Sequence, residues 1–276
     1  MSEAASERDG LGDEVAPGLR TAIGDDGVHT WWLCNEARRN AISPGALRWI
    51  AATGPTLAGE IVVLRGVGGR AFCAGFDLTA LAEATAPRQP GGPSLLPDEA
   101  LIAATSAMRR ANATFVAALD GYAIGAGVEL ACACDLRLAR RGVFLAVPAA
   151  ELGVVYHAAG LQSIAAALGP AGVRRLLLLG DRLDAEEAWS LGALIRLCDP
   201  DDFEAALSDV LDRLRRGAPL SIQGNRELLR ALERGAPSTE QLEDHEARRH
   251  AAYASEDHRE ARQARIEGRP PRFRGR

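Results

Sequence analysis

One carboxylate of this chain sits in an unusually bare setting. Residues 121–134, GYAIGAGVELACAC, place Glu129 among small and apolar side chains. Small residues let a carbonyl approach the backbone closely. The first N–H groups of a helix have no intrahelical partner, so they can receive an oxyanion. A second stretch of the same kind, GVGGRAFCAGFDL at 66–78, follows IVVLR as the first follows TFVAAL. Each Gly-rich turn therefore joins a buried strand to a helix. Neither is GxGxxG in a dinucleotide-binding unit, and neither carries the GK[ST] of a P-loop, which argues against both kinds of nucleotide site. The chemistry these residues suit is proton transfer by Glu129 beside an oxyanion held by main-chain donors. The plain structural alternative is a carboxylate near a helix N-terminus, stabilised by ~0.3–1 kcal/mol, with glycines that only make tight turns.

Other groups could join it. His157, in VVYHAAG, can act as an acid or a base near neutral pH, or be a core histidine bonded to a carbonyl. Glu151, in VPAAELG, would point to the same side as Ala149 in an extended segment; otherwise it is a solvated helix-start charge. Tyr156 could donate a hydrogen bond. His29, His245, His250 and His258 fall at a strand start or on charged helices and read as solvated. The five cysteines (Cys34, Cys73, Cys132, Cys134 and Cys198) are odd in number and sit in apolar settings, so they read as reduced, buried thiols. Cys132 and Cys134 lack CxxC spacing, and no metal site is expected. The chain has no lysine, which excludes Schiff-base chemistry on that side chain.

These groups need a scaffold. The 276 residues, 47% hydrophobic and 25% charged, suffice for one large domain or a domain with an appendage. A net charge of −5 argues against nucleic acid as a partner. Residues 1–16 are polar and read as disordered, without the apolar core of a signal peptide. No apolar run is long enough for a membrane span, so a cytoplasmic protein is expected. VHTWWLCN, IVVLRG, TFVAALDG and VFLAV read as strands; Ser43-Pro44 marks a helix start. FDLTALAEA has helical periodicity, and the Pro- and Gly-rich 86–98 reads as a mobile surface loop. From about 158 onward the pattern is helical throughout and ends in one long charged helix. That is an α/β core followed by a helical region.

GGRAFCAGFDL, then ALDGYAIGAGVELACACDLRLA, then ELG and AEEAWSLGAL resemble the enoyl-CoA hydratase/isomerase family. The resemblance runs from NEARRNAIS to the C-terminus. It implies the crotonase (ClpP-like) α/β spiral of repeated ββα units, with a core over 17–200 and a helical trimerisation region over 201–276. It implies that the backbone N–H groups of Phe76 and Ala126 form an oxyanion hole; the family usually has glycine at the second position. Glu129 falls where hydratases carry one of two catalytic carboxylates. Ala149 stands where the other belongs, so hydration lacks its usual second group. Glu151 and His157 are the candidates to replace it, since related isomerases and a dehalogenase place a catalytic aspartate at the offset of His157. Arg39, Ala41, Ala74 and Asp77 are the implied CoA-binding positions. The implied function is an acyl-CoA enzyme that stabilises an enolate, a hydratase or isomerase, with CoA as part of the substrate and no other cofactor. A hydrolase or C–C lyase using His157, and a non-catalytic CoA-binding scaffold, remain alternatives. A homotrimer or hexamer is implied.

Overall fold

The computed structural model describes residues 11–77, 79, 96 and 98–276. The chain divides into two compact units, the first ending at Glu204 and the second running from Ala205 to Arg276.

The first unit is built on eleven strands among the described residues: β1 (Asp13–Ala16), β2 (Leu19–Ile23), β3 (His29–Leu33), β4 (Ala58–Gly66), β5 (Ala71–Cys73), β6 (Asn112–Leu119), β7 (Tyr122–Ile124), β8 (Leu136–Arg140), β9 (Phe144–Ala146), β10 (Arg182–Asp184) and β11 (Arg196–Cys198). Its helices are α1 (Pro44–Thr53), α2 (Glu99–Arg110), α3 (Ala126–Ala133), α4 (Ala149–Leu152), α5 (Ala158–Arg174) and α6 (Ala185–Ser190), while α7 (Phe203–Arg215) spans the boundary. Seven strands form one sheet in the order β1-β2-β3-β4-β6-β8-β11, and four form another in the order β10-β9-β7-β5.

A repeat is visible in this order. β6, β7 and α3 form one ββα unit and β8, β9 and α4 the next, each giving a strand to either sheet. Neighbouring units pair in parallel in both sheets, β4 with β6 and β6 with β8, and β5 with β7 and β7 with β9. The long strands of the repeats are covered on both faces, so Val62, Val63 and Leu64 of β4 are all buried, as a continuous β-branched run requires. Trp31 of β3 packs edge-on against Trp49 and Phe115, with centroids 5.1 and 5.5 Å apart. Helix α1 starts as its sequence dictates, with the Ala46 N–H donating to Ser43 Oγ (3.1 Å) and Pro44 at the first position.

Three readings change. Residues 13–16 are not disordered but pair antiparallel with β2, because backbone pairing orders a strand whose own sequence is polar. The chain beyond 158 is not all helix. RLD at 182–184 pairs with β9 and RLC at 196–198 with β8, two short strands of low β-propensity fixed by their partners rather than by their residues. The last charged stretch is two helices, α9 (Thr239–Ala254) and α10 (Glu256–Glu267), which follow α8 (Pro219–Leu232) in the second unit. Ser255 divides them, since its Oγ accepts from the His258 N–H (3.0 Å) and caps α10. Most of FDLTALAEA and of 86–98 lies outside the described residues. No helix among the described residues is long and apolar enough to cross a membrane.

The repeats stack backbone on backbone. A Cβ at Gly121 would lie 2.4 Å from the Ala71 nitrogen, and one at Gly127 would lie 2.4 Å from the Cys73 oxygen. Overpacking of this kind costs ~1–3 kcal/mol. We expect Gly121→Ala to lose that much unfolding free energy in a urea titration; wild-type stability in the variant would show that the two repeats are not in contact there.

Candidate active site

The stacking brings the two Gly-rich turns side by side. Neither stretch is a plain turn from strand to helix, since each contains a short strand, β5 in the first and β7 in the second, paired in parallel. A Cβ at Gly75 (φ 96°) would lie 3.3 Å from the Ile124 oxygen. Phe76 forms a parallel bridge with Ile42. In it, the Ile42 N–H donates to Gly75 O (2.8 Å) and the Asp77 N–H to Ile42 O (2.9 Å). That geometry uses the groups on either side of Phe76 and turns its own N–H the other way. Ala126 opens α3, where the N–H groups have no helical acceptor. Among the described residues neither N–H is bonded within the chain.

Glu129 is fully buried one turn into α3. His157 Nε2 lies 3.1 Å from Glu129 Oε1 and 3.2 Å from Oε2. The other ring nitrogen is engaged as well. The Gly160 N–H donates to His157 Nδ1 (3.1 Å), so His157 caps α5. A nitrogen that accepts carries no proton, which puts the ring proton of the neutral imidazole on Nε2, aimed at Glu129. Thr105 Oγ1 lies 3.4 Å from Glu129 Oε1 and 2.9 Å from the Leu101 carbonyl. The hydroxyl donates to either acceptor, and when it turns to Glu129 it favours the ionised carboxylate. A Cβ at Gly160 would lie 2.6 Å from Glu129 Oε2, so only glycine leaves room for this carboxylate.

Burial raises the Glu129 pKa, opposed by His157 and Thr105 and reinforced by the charge of Asp98. Burial likewise pushes the Tyr156 phenol up, with the charge of Glu129 adding to it. Tyr156 lies nearly parallel to the His157 ring, 6.3 Å away between centroids. Cys73, buried beneath the first turn, is pushed up to about 12 by burial. All five thiols are free, and four of them are buried.

The remaining candidates divide. Glu151 is exposed while Ala149 is buried. The segment is a turn of helix rather than extended chain, so residues two apart diverge by about 200° instead of sharing a side. Arg39 has an exposed side chain and left-handed backbone (φ 56°), and its carbonyl accepts from the Ala74 N–H (3.1 Å). Asp77 is held by an ion pair with Arg38 and by the Thr79 N–H (3.1 Å), and Asn35 Nδ2 bridges it to Ala41 O. The four expected CoA positions thus converge on one loop pair, but Asp77 serves its architecture. Three residues escaped the sequence reading. Buried Asn40 (φ 58°) donates from Nδ2 to Val67 O (2.9 Å) and Ala71 O (2.7 Å), pinning that loop. Its signal was an asparagine in a turn, the residue type that best tolerates such a φ. Thr105 could have been found as the polar member of the apolar stripe Leu101, Ala104 and Met108. Asp98, at the start of α2, carried no signal. Among the described residues no group of three or more His, Cys, Asp and Glu side chains is placed to hold a metal ion.

The enoyl-CoA hydratase/isomerase family model matches residues 40–276. The chain belongs to that family. It is 32% identical over 172 residues to a carnitinyl-CoA dehydratase of Proteus mirabilis, a match covering 62% of this chain and 64% of that protein, just under two-thirds of the relative's length. Among solved structures it resembles an enoyl-CoA hydratase/carnithine racemase from Magnetospirillum magneticum, with TM-score 0.82, 25% identity, and coverage of 94% of this chain and 96% of the other. It also resembles an enoyl-CoA hydratase from Mycobacterium tuberculosis, with TM-score 0.78, 26% identity, and coverage of 94% and 100%. The two sheets and the spiral of repeats are thus the crotonase fold of this family.

The Glu129 environment has a consequence for stability. A carboxyl whose pKa rises on folding binds its proton more tightly in the folded state, so it destabilises progressively as pH climbs above the unfolded value of ~4.3. The penalty is complete once pH exceeds the raised folded value. We expect Glu129→Gln to have a higher urea midpoint than wild type at pH 8, with the difference closing towards pH 4. A midpoint that is lower at pH 8 would mean that the ionised carboxylate is favoured by the fold.

Proposed function

We propose that this protein is an acyl-CoA enzyme of the hydratase or isomerase type, with Glu129 as its acid–base residue. The observation that carries this is Glu129 itself: a fully buried carboxylate with a raised pKa, beside two turns with unpaired N–H groups. In this reading the thioester oxygen accepts from the Phe76 and Ala126 N–H groups. Charge that develops on that oxygen when a Cα proton leaves is then stabilised by fixed donors. Small side chains around Ala126 let the thioester approach; the Ala126 methyl narrows the hole without removing its donor. A carboxyl with a raised pKa suits both halves of a proton transfer near neutral pH. The exposed guanidinium of Arg39 suits a CoA phosphate. Relatives named as dehydratases and hydratases support including water addition and removal in this reading.

His157 is a positioning residue here. With Nδ1 capping α5 and the Nε2 proton turned to Glu129, the ring has no lone pair to offer a substrate. That weighs against the hydrolase or lyase alternative with His157 as base. The retained, buried Glu129 weighs against a non-catalytic scaffold. Assembly through 201–276 into a trimer or hexamer, and a cytoplasmic setting, belong to the same proposal.

Glu129→Gln is expected to slow loss of the enoyl-thioester absorbance of crotonyl-CoA by about 10²–10⁴-fold, the usual worth of an acid–base group. Binding of the CoA ester, read as a thermal shift, should persist. His157→Ala is expected to cost at least about tenfold, on the order of 1.4 kcal/mol. Undiminished turnover in Glu129→Gln would remove the assignment.

A further inference from the structure

Hydration needs two acid–base groups, one to handle the water proton and one the proton at Cα. Within the reading just given, on which this inference rests, Glu129 supplies only one of them. Ala149 carries no acid, Glu151 is exposed on the far side of its helical turn, and both nitrogens of His157 are engaged. Tyr156, with its phenol pushed up by burial, can donate a proton but is a poor acceptor.

Asp98 is left. It precedes α2, and positions 98, 101, 105 and 108 share one face of that helix. Leu101, Thr105 and Met108 on that face are buried, and Thr105 reaches Glu129. Asp98 is half-buried. Seven residues separate it from Thr105, about 10 Å along the axis, which leaves space between the two carboxylates for the reacting carbons and a water. An aspartate at a helix start ordinarily accepts from an N–H of the first turn, which requires β-region backbone. Asp98 has φ −95° and ψ −4° instead and makes no such bond. Among the described residues no cation or N–H pairs with its carboxylate. Its charge reaches Glu129 of α3 and Tyr156 just ahead of α5.

We infer that Asp98 is the second acid–base residue of the site, the group that takes the proton of the water adding to Cβ while Glu129 gives its own proton to Cα. The water oxygen bonds to Cβ as the Cα–Cβ π electrons move towards the thioester oxygen, and these return to Cα as it accepts the Glu129 proton. The product is the 3-hydroxyacyl thioester. Asp98 is then protonated and Glu129 ionised, and one proton exchanged between them through solvent restores the starting state. Dehydration runs the same steps backwards. The arrangement needs Glu129 protonated while Asp98 is ionised. The charge of Asp98 favours that split, since it holds the proton on Glu129.

The test compares two reactions in wild type, Asp98→Asn, Asp98→Glu and Glu129→Gln. One is hydration of crotonyl-CoA, and the other is exchange of the Cα protons of butyryl-CoA in D2O, which needs only Glu129. We expect Asp98→Asn to lose at least about 100-fold in hydration, with exchange within about threefold of wild type, and Asp98→Glu to recover part of the hydration. Hydration in Asp98→Asn within threefold of wild type would overturn the inference. So would equal losses in both reactions by a variant with wild-type melting temperature. Should Asp98→Asn melt early, Asp98→Ser is read by the same criteria. Wild-type protein that exchanges Cα protons but does not hydrate crotonyl-CoA would overturn the role of Asp98 and leave Glu129 standing. Exchange that survives Glu129→Gln would instead defeat the function proposed above.

Discussion

The contact on which this site depends is the hydrogen bond from the His157 imidazole to a carboxylate removed from water. Burying an ionisable carboxyl is costly unless a partner meets it or it keeps its proton. The protein does some of each. His157 directs its proton between the two oxygens of Glu129, Thr105 stands at one of them, and the raised pKa records what these partners leave uncompensated. The imidazole is itself fixed, because the first turn of α5 occupies its other nitrogen. A helix start thereby sets the tautomer of the residue that holds the acid. Gly160 takes part twice, as the donor to that ring and as the gap that the carboxylate fills.

The repeat architecture explains why this acid stands beside two unpaired main-chain N–H groups. Each ββα unit passes from a long strand to a short one and then to a turn, and parallel stacking sets corresponding turns of successive units next to each other. One turn contributes the N–H of Phe76, freed because the bridge to Ile42 uses its neighbours. The other contributes the N–H of Ala126, freed because it begins a helix. The glycines between them are where one backbone presses on the next, so stability and site geometry rest on the same contacts.

Much of this was legible in the sequence. The paired Gly-rich turns were legible after their buried strands, the repeat followed from the family resemblance they carry, and Glu129 stood out because nothing around it was polar. Ser43-Pro44 marked a helix start by local chemistry alone. What was not legible depended on contacts distant in the chain. β10 and β11 are strands because β9 and β8 offer them edges, not because RLD or RLC favours extension. Of the two readings of Glu151, the extended one fails and the exposed helix-start charge holds, because PAAEL is a turn of helix whose period of 3.6 sends alternate residues apart. The role of His157 changed from free acid or base to clamp once Gly160 was seen at its second nitrogen. Asp98 was read only as the end of the Pro- and Gly-rich 86–98, and the packing of α2 against α3, where Thr105 meets Glu129, is not legible in its neighbours.

In the proposed site, Phe76 and Ala126 hold a thioester oxygen beside which Glu129 moves a proton. A crystal structure with butyryl-CoA tests this most directly. We expect the thioester oxygen at about 2.7–3.1 Å from both backbone nitrogens, with the Glu129 carboxyl on the Cα side. A thioester bound elsewhere, or bound in this loop pair with its oxygen turned away from the two N–H groups, would contradict it.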